Sequence, residues 1–218
     1  MHIEKGIARK KEGESVPYRY FRNTPDNSKL CVMLPGLGYT TDQPLFYYAT
    51  GLFLEKGFDV LHVQYEHDNS SFIKLEREEQ FEVISDDVEK VLGEVVSANK
   101  NTNIFMMAKS IGTGGLAHLF QKSKENLKIT KVIWLNPLLQ IDTLYDCLRS
   151  SRKESLLLTG NKDQYFVKER MSELADKRNF KTRILKGADH SLEHEDGIYQ
   201  SIECMKVIMK EIDMFTNG

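Results

Sequence analysis

The segment Ala108-Lys109-Ser110-Ile111-Gly112 sets one serine between an apolar run, Ile104 to Ala108, and a glycine-rich stretch of helical character. A serine at such a strand-to-helix turn is held in a strained backbone conformation. Small residues two positions to either side, here Ala108 and Gly112, give it room. Its hydroxyl is a poor nucleophile at neutral pH until a histidine takes the proton and a carboxylate orients that histidine. Two later segments carry those residue types, Thr159-Gly160-Asn161-Lys162-Asp163 and Gly187-Ala188-Asp189-His190-Ser191. Ser110, Asp163 and His190 thus have the composition and the chain order of an acyl-transfer triad.

Each of these residues also has an ordinary explanation. A serine between small residues is at home in any turn, Asp163 could cap the helix that follows it, and His190 could be an exposed loop histidine. The joint reading is favoured because the three fall on separate loops in the required order. Asp142 is the alternative orienting acid, and Asp189 is read as shaping its own turn. Packing or solvation accounts for the other histidines: His62 lies inside a strand, His118 on a helix, and His2 and His67 in polar surroundings.

These loops must be positioned by alternating elements. Short β-rich runs alternate with helical patterns along the chain, the signature of a mostly parallel, doubly wound sheet with helices on both faces. Ile3 to Arg9 and Val16 to Arg22, separated by Lys11-Glu12-Gly13-Glu14, read as an antiparallel hairpin at one edge. Strands are expected at Leu30 to Leu34, Phe58 to Gln64, Ile104 to Ala108, Lys131 to Leu135, Ser155 to Leu158 and Thr182 to Leu185. Helices are expected at Phe46 to Lys56, Gln80 to Val96, Gly112 to Lys122, Ile141 to Arg149, Val167 to Arg178 and Tyr199 to Phe215. In such a sheet, function gathers beyond the carboxyl ends of the strands, where the serine, aspartate and histidine all fall. The loop Pro35-Gly36-Leu37-Gly38-Tyr39 joins them there, its glycines letting backbone N–H groups approach a ligand.

Two other motifs compete. His190-Ser191-Leu192-Glu193-His194 matches the H-x-x-E-H pattern of zinc peptidases, in which two histidines on one helix share a metal. Here the motif follows directly on a strand and a glycine, and only Glu203 and Glu211 remain downstream as candidates for a third ligand. Gly112-Thr113-Gly114-Gly115-Leu116-Ala117 has the spacing of a dinucleotide site, but the next strand ends in Leu135-Asn136 with no acid to hold a ribose. Close packing of helix on sheet explains those glycines better.

Composition narrows the partners. The chain has 218 residues, and 30 Lys and Arg against 32 Asp and Glu leave a net charge of -2. That balance offers no basic excess for a nucleic-acid backbone. No signal-peptide core or membrane-spanning run is evident, so a cytoplasmic protein with no membrane partner is expected. Cys31, Cys147 and Cys204 are odd in number and far apart, which favours free thiols over a disulfide framework.

At the serine turn and the three loops, from about Lys29 to the C-terminal helix, the chain resembles the α/β-hydrolase superfamily, with Ala108 where glycine is commonest. The resemblance implies an eight-stranded, mostly parallel sheet. The length fits a single domain over residues 1–218 that includes the N-terminal hairpin, and only Glu66 to Glu79 and Asn136 to Gln140 are left as cover, so little or no cap is expected. The resemblance also implies a Ser110-Asp163-His190 triad, with the Leu37 and Ile111 N–H groups as the oxyanion hole. The expected partner is a small-molecule acyl substrate, an ester, thioester or small amide, and no metal or organic cofactor is needed. Tyr39, Lys109, Leu138, Leu139, Tyr165 and Phe166 lie close enough in sequence to the motif loops to line a pocket. For Lys109 the competing expectation is a solvated lysine at a helix start. A hydrolase fold retained as a catalytically idle binding module is the alternative from a different functional class.

Overall fold

A computed structural model of the chain describes residues 2–9, 15–24, 27–65, 67, 70–98, 103–122 and 128–217. The strands are β1 (His2–Arg9), β2 (Ser15–Arg22), β3 (Lys29–Leu34), β4 (Asp59–Val63), β5 (Asn103–Lys109), β6 (Ile129–Leu135), β7 (Glu154–Gly160) and β8 (Phe180–Leu185). The helices are α1 (Pro44–Glu55), α2 (Ser70–Ile73), α3 (Arg77–Ala98), α4 (Ile111–Lys122), α5 (Asp142–Ser150), α6 (Lys168–Ala175) and α7 (Ile198–Asn217). All strands join one sheet in the order β1-β2-β4-β3-β5-β6-β7-β8. β1 and β2 form the expected antiparallel hairpin, and β2 also runs antiparallel to β4. Every pairing from β4 through β3 to β8 is parallel. The expected hairpin turn, 11–14, lies outside the described residues.

The sequence pattern explains the two-faced sheet. Along β3 and β5, Leu30, Val32, Ile104, Met106 and Ala108 point to one face, and Cys31, Met33, Phe105 and Met107 to the other. Alternate side chains leave a strand on opposite faces, so an unbroken apolar run requires cover on both. The first face is covered by α3, α4, α5 and α6, the second by α1 and α7. The glycines of α4 serve this packing in two ways. A Cβ on Gly114 would lie 2.1 Å from the Phe81 ring and one on Gly115 2.2 Å from Ile84, both on α3. These glycines therefore seat helix on helix rather than helix on sheet. A Cβ on Gly112 would lie 2.6 Å from the Pro35 carbonyl, so this residue admits the loop after β3 to the serine turn.

Element positions match the expectations with shifted ends, and only α2 was unforeseen. That helix is a single turn between β4 and α3, too short for a periodic signal. No helix among the described residues is long and apolar enough to cross a membrane. Cys31, Cys147 and Cys204 are free thiols, the first two buried.

His62, on β4, is packed rather than solvated, with Nε2 2.7 Å from the Thr50 hydroxyl. Burial, helped by the nearby Arg19 charge, lowers its pKa from 6.5 to about 3. An unfolded chain would protonate this imidazole below pH 6.5 while the folded chain resists. Folding stability is therefore full above that pH and is lost as pH falls towards 3, by about 1.4 kcal/mol for each unit crossed. Denaturant unfolding at pH 7 and at about pH 4.5 should show this slope, and His62→Phe should flatten it. An equal slope in the variant would assign the acid sensitivity to other groups.

Candidate active site

Ser110 directly follows β5 with a φ of 53°, a left-handed conformation that is costly for any residue with a side chain. The turn is held from three directions. The Ser110 amide donates to the Leu135 carbonyl at 3.0 Å, and the Ser110 carbonyl accepts from the Thr113 amide at 2.9 Å and from the Thr113 hydroxyl at 2.5 Å. The serine Oγ is thereby placed 2.7 Å from His190 Nε2, and His190 Nδ1 lies 2.9 Å from Asp163 Oδ2. The three residues separated in sequence thus meet as one hydrogen-bonded chain.

Asp163 does two jobs in one turn. Oδ1 accepts the Tyr165 amide at 2.8 Å, which fixes the loop after β7, while Oδ2 faces the imidazole. The Asp163 side chain is fully buried and that of His190 is 27% exposed. Exposure thus rises from the carboxylate to the imidazole. The Tyr165 ring meets the imidazole edge-on, with centroids 4.8 Å apart. The loops carrying Asp163 and His190 are locked together as well. The Lys162 amide donates to the Ala188 carbonyl at 2.9 Å, and the Gly187 amide donates to Asn161 Oδ1 at 2.6 Å. A Cβ on Gly160 would lie 2.1 Å from the Ala188 carbonyl oxygen, so only glycine permits this approach.

On the other side of the serine, Gly36 and Tyr39 exchange backbone hydrogen bonds of 3.2 and 3.3 Å that close a tight turn around Leu37. A Cβ on Gly36 would be 3.1 Å from Ser110 Cβ, which places this loop directly against the serine. Ile111 opens α4, where the first amides of a helix have no carbonyl within the helix to bond. Leu37 and Ile111 both line a cavity of about 270 Å³, together with Thr40, Gln64, Tyr65 and His67. A larger cavity of about 570 Å³ opens at the opposite end of the sheet beside Ile129 and Lys153, and none of the residues above line it.

The expected pocket residues divide. Tyr165 touches His190, while Leu138 and Leu139 are buried in the core and Phe166 packs against it. None of Tyr39, Lys109, Leu138, Leu139, Tyr165 or Phe166 lines the cavity beside Leu37 and Ile111. Lys109 is the clearest correction, since it is 1% exposed rather than a solvated lysine at a helix start. As the last residue of β5 it points into the second face of the sheet, where Nζ lies 4.5 Å from the centre of the Tyr39 ring. It also donates to the His190 carbonyl at 2.8 Å.

Asp142 is paired with Arg170, and Asp189 accepts the amides of Ser191 and Glu193 as a turn former. His67 is not in polar surroundings. It stacks between Tyr65 and Phe72 and lies 2.6 Å from the buried carboxylate of Asp87. Residues 190–194 form turns rather than a helix, so the two histidines of the H-x-x-E-H segment do not share a helix face. Nδ1 of His194 instead accepts the Asp196 amide at 3.1 Å. Among the described residues, no group of three or more His, Cys, Asp or Glu side chains is placed to hold a metal.

In the sequence Asn136 stood out only as a strand end that carries no acid. It directly follows β6, has a φ of 44°, and its Nδ2 donates to the carbonyls of Asp189 and His190, each at 3.0 Å. Asparagine is among the few residues that tolerate this backbone region, and its position just past a strand was the available signal.

No protein-family model matches the sequence, and no curated protein is a match to it. Solved structures do match. One is a protein of unknown function from Agrobacterium tumefaciens, classed provisionally as an α/β hydrolase, at TM-score 0.75 and 17% identity over 98% of this chain and 95% of that one. Another is the Pyrococcus furiosus esterase Pf2001, at TM-score 0.74 and 12% identity over 99% and 92%. A third is a lidless serine hydrolase from Xanthomonas campestris, at TM-score 0.71 and 11% identity over 99% and 94%. With similarity covering more than nine-tenths of each chain at these scores, this protein has the α/β-hydrolase fold.

Proposed function

We propose that the protein is a serine hydrolase that cleaves a carboxylic ester, thioester or small amide through an acyl-enzyme intermediate. The observation that carries this reading is the 2.7 Å approach of Ser110 Oγ to His190 Nε2, backed by Asp163 at 2.9 Å. Ser110 is the nucleophile, His190 the base and Asp163 the group that holds the imidazole with its proton on Nδ1. As Oγ attacks the carbonyl carbon, its proton passes to Nε2, and the imidazolium returns that proton to the leaving alcohol, thiol or amine. Water then attacks the acyl-serine by the same route, releasing the acid and restoring the hydroxyl.

Negative charge gathers on the carbonyl oxygen in both halves. The Leu37 and Ile111 amides, on either side of the serine, are assigned to receive it, and loss of one such donor typically costs on the order of a hundredfold or more in rate. The cavity that Leu37 and Ile111 line, without Ser110 or His190 in its wall, is small and carries threonine, glutamine and histidine side chains among its apolar walls. It suits a compact acyl group better than a long alkyl chain. The esterase and the serine hydrolase among the structural neighbours are consistent with this chemistry.

The test is labelling by a fluorophosphonate probe, followed by turnover of chromogenic esters and thioesters of increasing acyl length. Covalent labelling that maps to Ser110, with rates highest for short acyl chains, is the expected result. Folded protein that takes no probe would leave the fold as an idle binding module.

A further inference from the structure

We propose that Lys109 and Asn136 are positioning residues, which clamp the main chain of His190 from two adjacent strand ends and so hold its imidazole against Ser110. The inference rests on the serine-hydrolase reading above. Lys109 ends β5 and is paired in register with Leu135, the residue before Asn136, so both side chains rise from the rigid centre of the sheet. The segment they grip, residues 186–197, contains no helix or strand and is otherwise braced by the bridge between Ala188 and His194 and by bonds to the loop of Asp163. The His190 carbonyl accepts from Lys109 Nζ at 2.8 Å and from Asn136 Nδ2 at 3.0 Å, and the Asp189 carbonyl takes a second bond from the same amide.

Both clamp residues are held in costly states, which argues that they do more than fill space. Asn136 keeps a left-handed backbone, and its own Oδ1 is buried without a partner among the described residues. Reversing the amide would aim an oxygen at two carbonyl oxygens, so the network itself sets the orientation. Lys109 is a buried ammonium, a group that folding normally excludes unless it is paired. The Tyr39 ring covers it, and the Asp163 and Asp189 carboxylates are near enough to favour its charge. Burial outweighs the attraction of those carboxylates and lowers the lysine pKa from 10.5 to about 8. Above that pH the clamp keeps only a neutral amine, a weaker donor that the two carboxylates no longer attract.

Lys109→Met keeps the length of the side chain and removes both donor and charge. Its kcat should fall about tenfold, as expected when a reacting group is slightly misplaced, with KM within about twofold because Lys109 does not line the cavity. Wild-type kcat should decline through a step centred near pH 8, and Lys109→Met should lack that step. Asn136→Gly accepts the 44° φ and removes the amide; it should slow kcat similarly while retaining the step. Thermal unfolding of both variants checks that they are folded.

A raised KM with unchanged kcat would make Lys109 a substrate contact instead. Persistence of the alkaline step in Lys109→Met, or unchanged kcat in both variants, would likewise overturn the clamp while Ser110 labelling still upheld the hydrolase. Failure of the wild type to label would remove both readings together.

Discussion

Ser110→Ala should lower ester turnover by roughly a millionfold and abolish fluorophosphonate labelling while leaving the fold intact. The size of the loss follows from the role of Oγ, because no other described hydroxyl lies against His190 Nε2 within hydrogen-bond distance. Alanine inherits the positive φ, so the backbone strain stays and stability should change little. Ser110→Gly sharpens the point. It should be equally inactive, yet more stable by about 1 kcal/mol, since glycine adopts this conformation without the clash of a Cβ. Turnover measured beside denaturant unfolding would expose a nucleophile held in place at the expense of stability. Residual activity within about tenfold of wild type in Ser110→Ala would rule out an acyl-serine route.

Asp163→Asn should slow turnover by roughly ten-thousandfold, as in other triads where the carboxylate sets the tautomer. Oδ2 accepts a hydrogen bond from the Nδ1–H, which keeps the ring proton on that nitrogen and leaves Nε2 free to take the serine proton. An asparagine amide in that place donates to Nδ1 instead. The ring proton is then driven to Nε2, where it faces Oγ and blocks proton transfer. The carbonyl oxygen of the asparagine can still accept the Tyr165 amide, so the loop should keep its shape. Loss of kcat at near-native thermal stability is the outcome to look for. A mild effect would show that the loop contacts alone orient His190. Asp142 stands in an exposed ion pair with Arg170, while the Nδ1 position of His190 is taken by Asp163.

Much of this architecture was readable before folding was considered. Apolar runs such as Leu30 to Leu34 and Ile104 to Ala108 demand burial on both faces, and intervening helical periodicity supplies the cover. Ser110, Asp163 and His190 were legible for a related reason. Loops after parallel strands converge at one end of a sheet, so residues far apart in sequence can be expected to meet there.

Lys109 shows where that legibility stopped. Its neighbours in sequence are a serine and a helix start, which favour a solvated side chain, but the period of a strand sends alternate residues to opposite faces. The face to which Lys109 points is covered by the loop bearing His190. What Asn136 does escaped notice for a comparable reason, since its amide acts on carbonyls more than fifty positions away. His67 likewise drew its aromatic and acidic partners from α2 and α3.

By itself, then, the sequence determined what is local or periodic: the order of strands and helices, the strained serine between small residues, and the loops that could supply its partners. Only the tertiary structure decided the distances among those loops, the burial of Lys109, and the pairing of Asp142 with Arg170. Hydrogen bonds and desolvation depend on separations of a few ångströms between groups distant along the chain, and those separations exist only once the layers have packed.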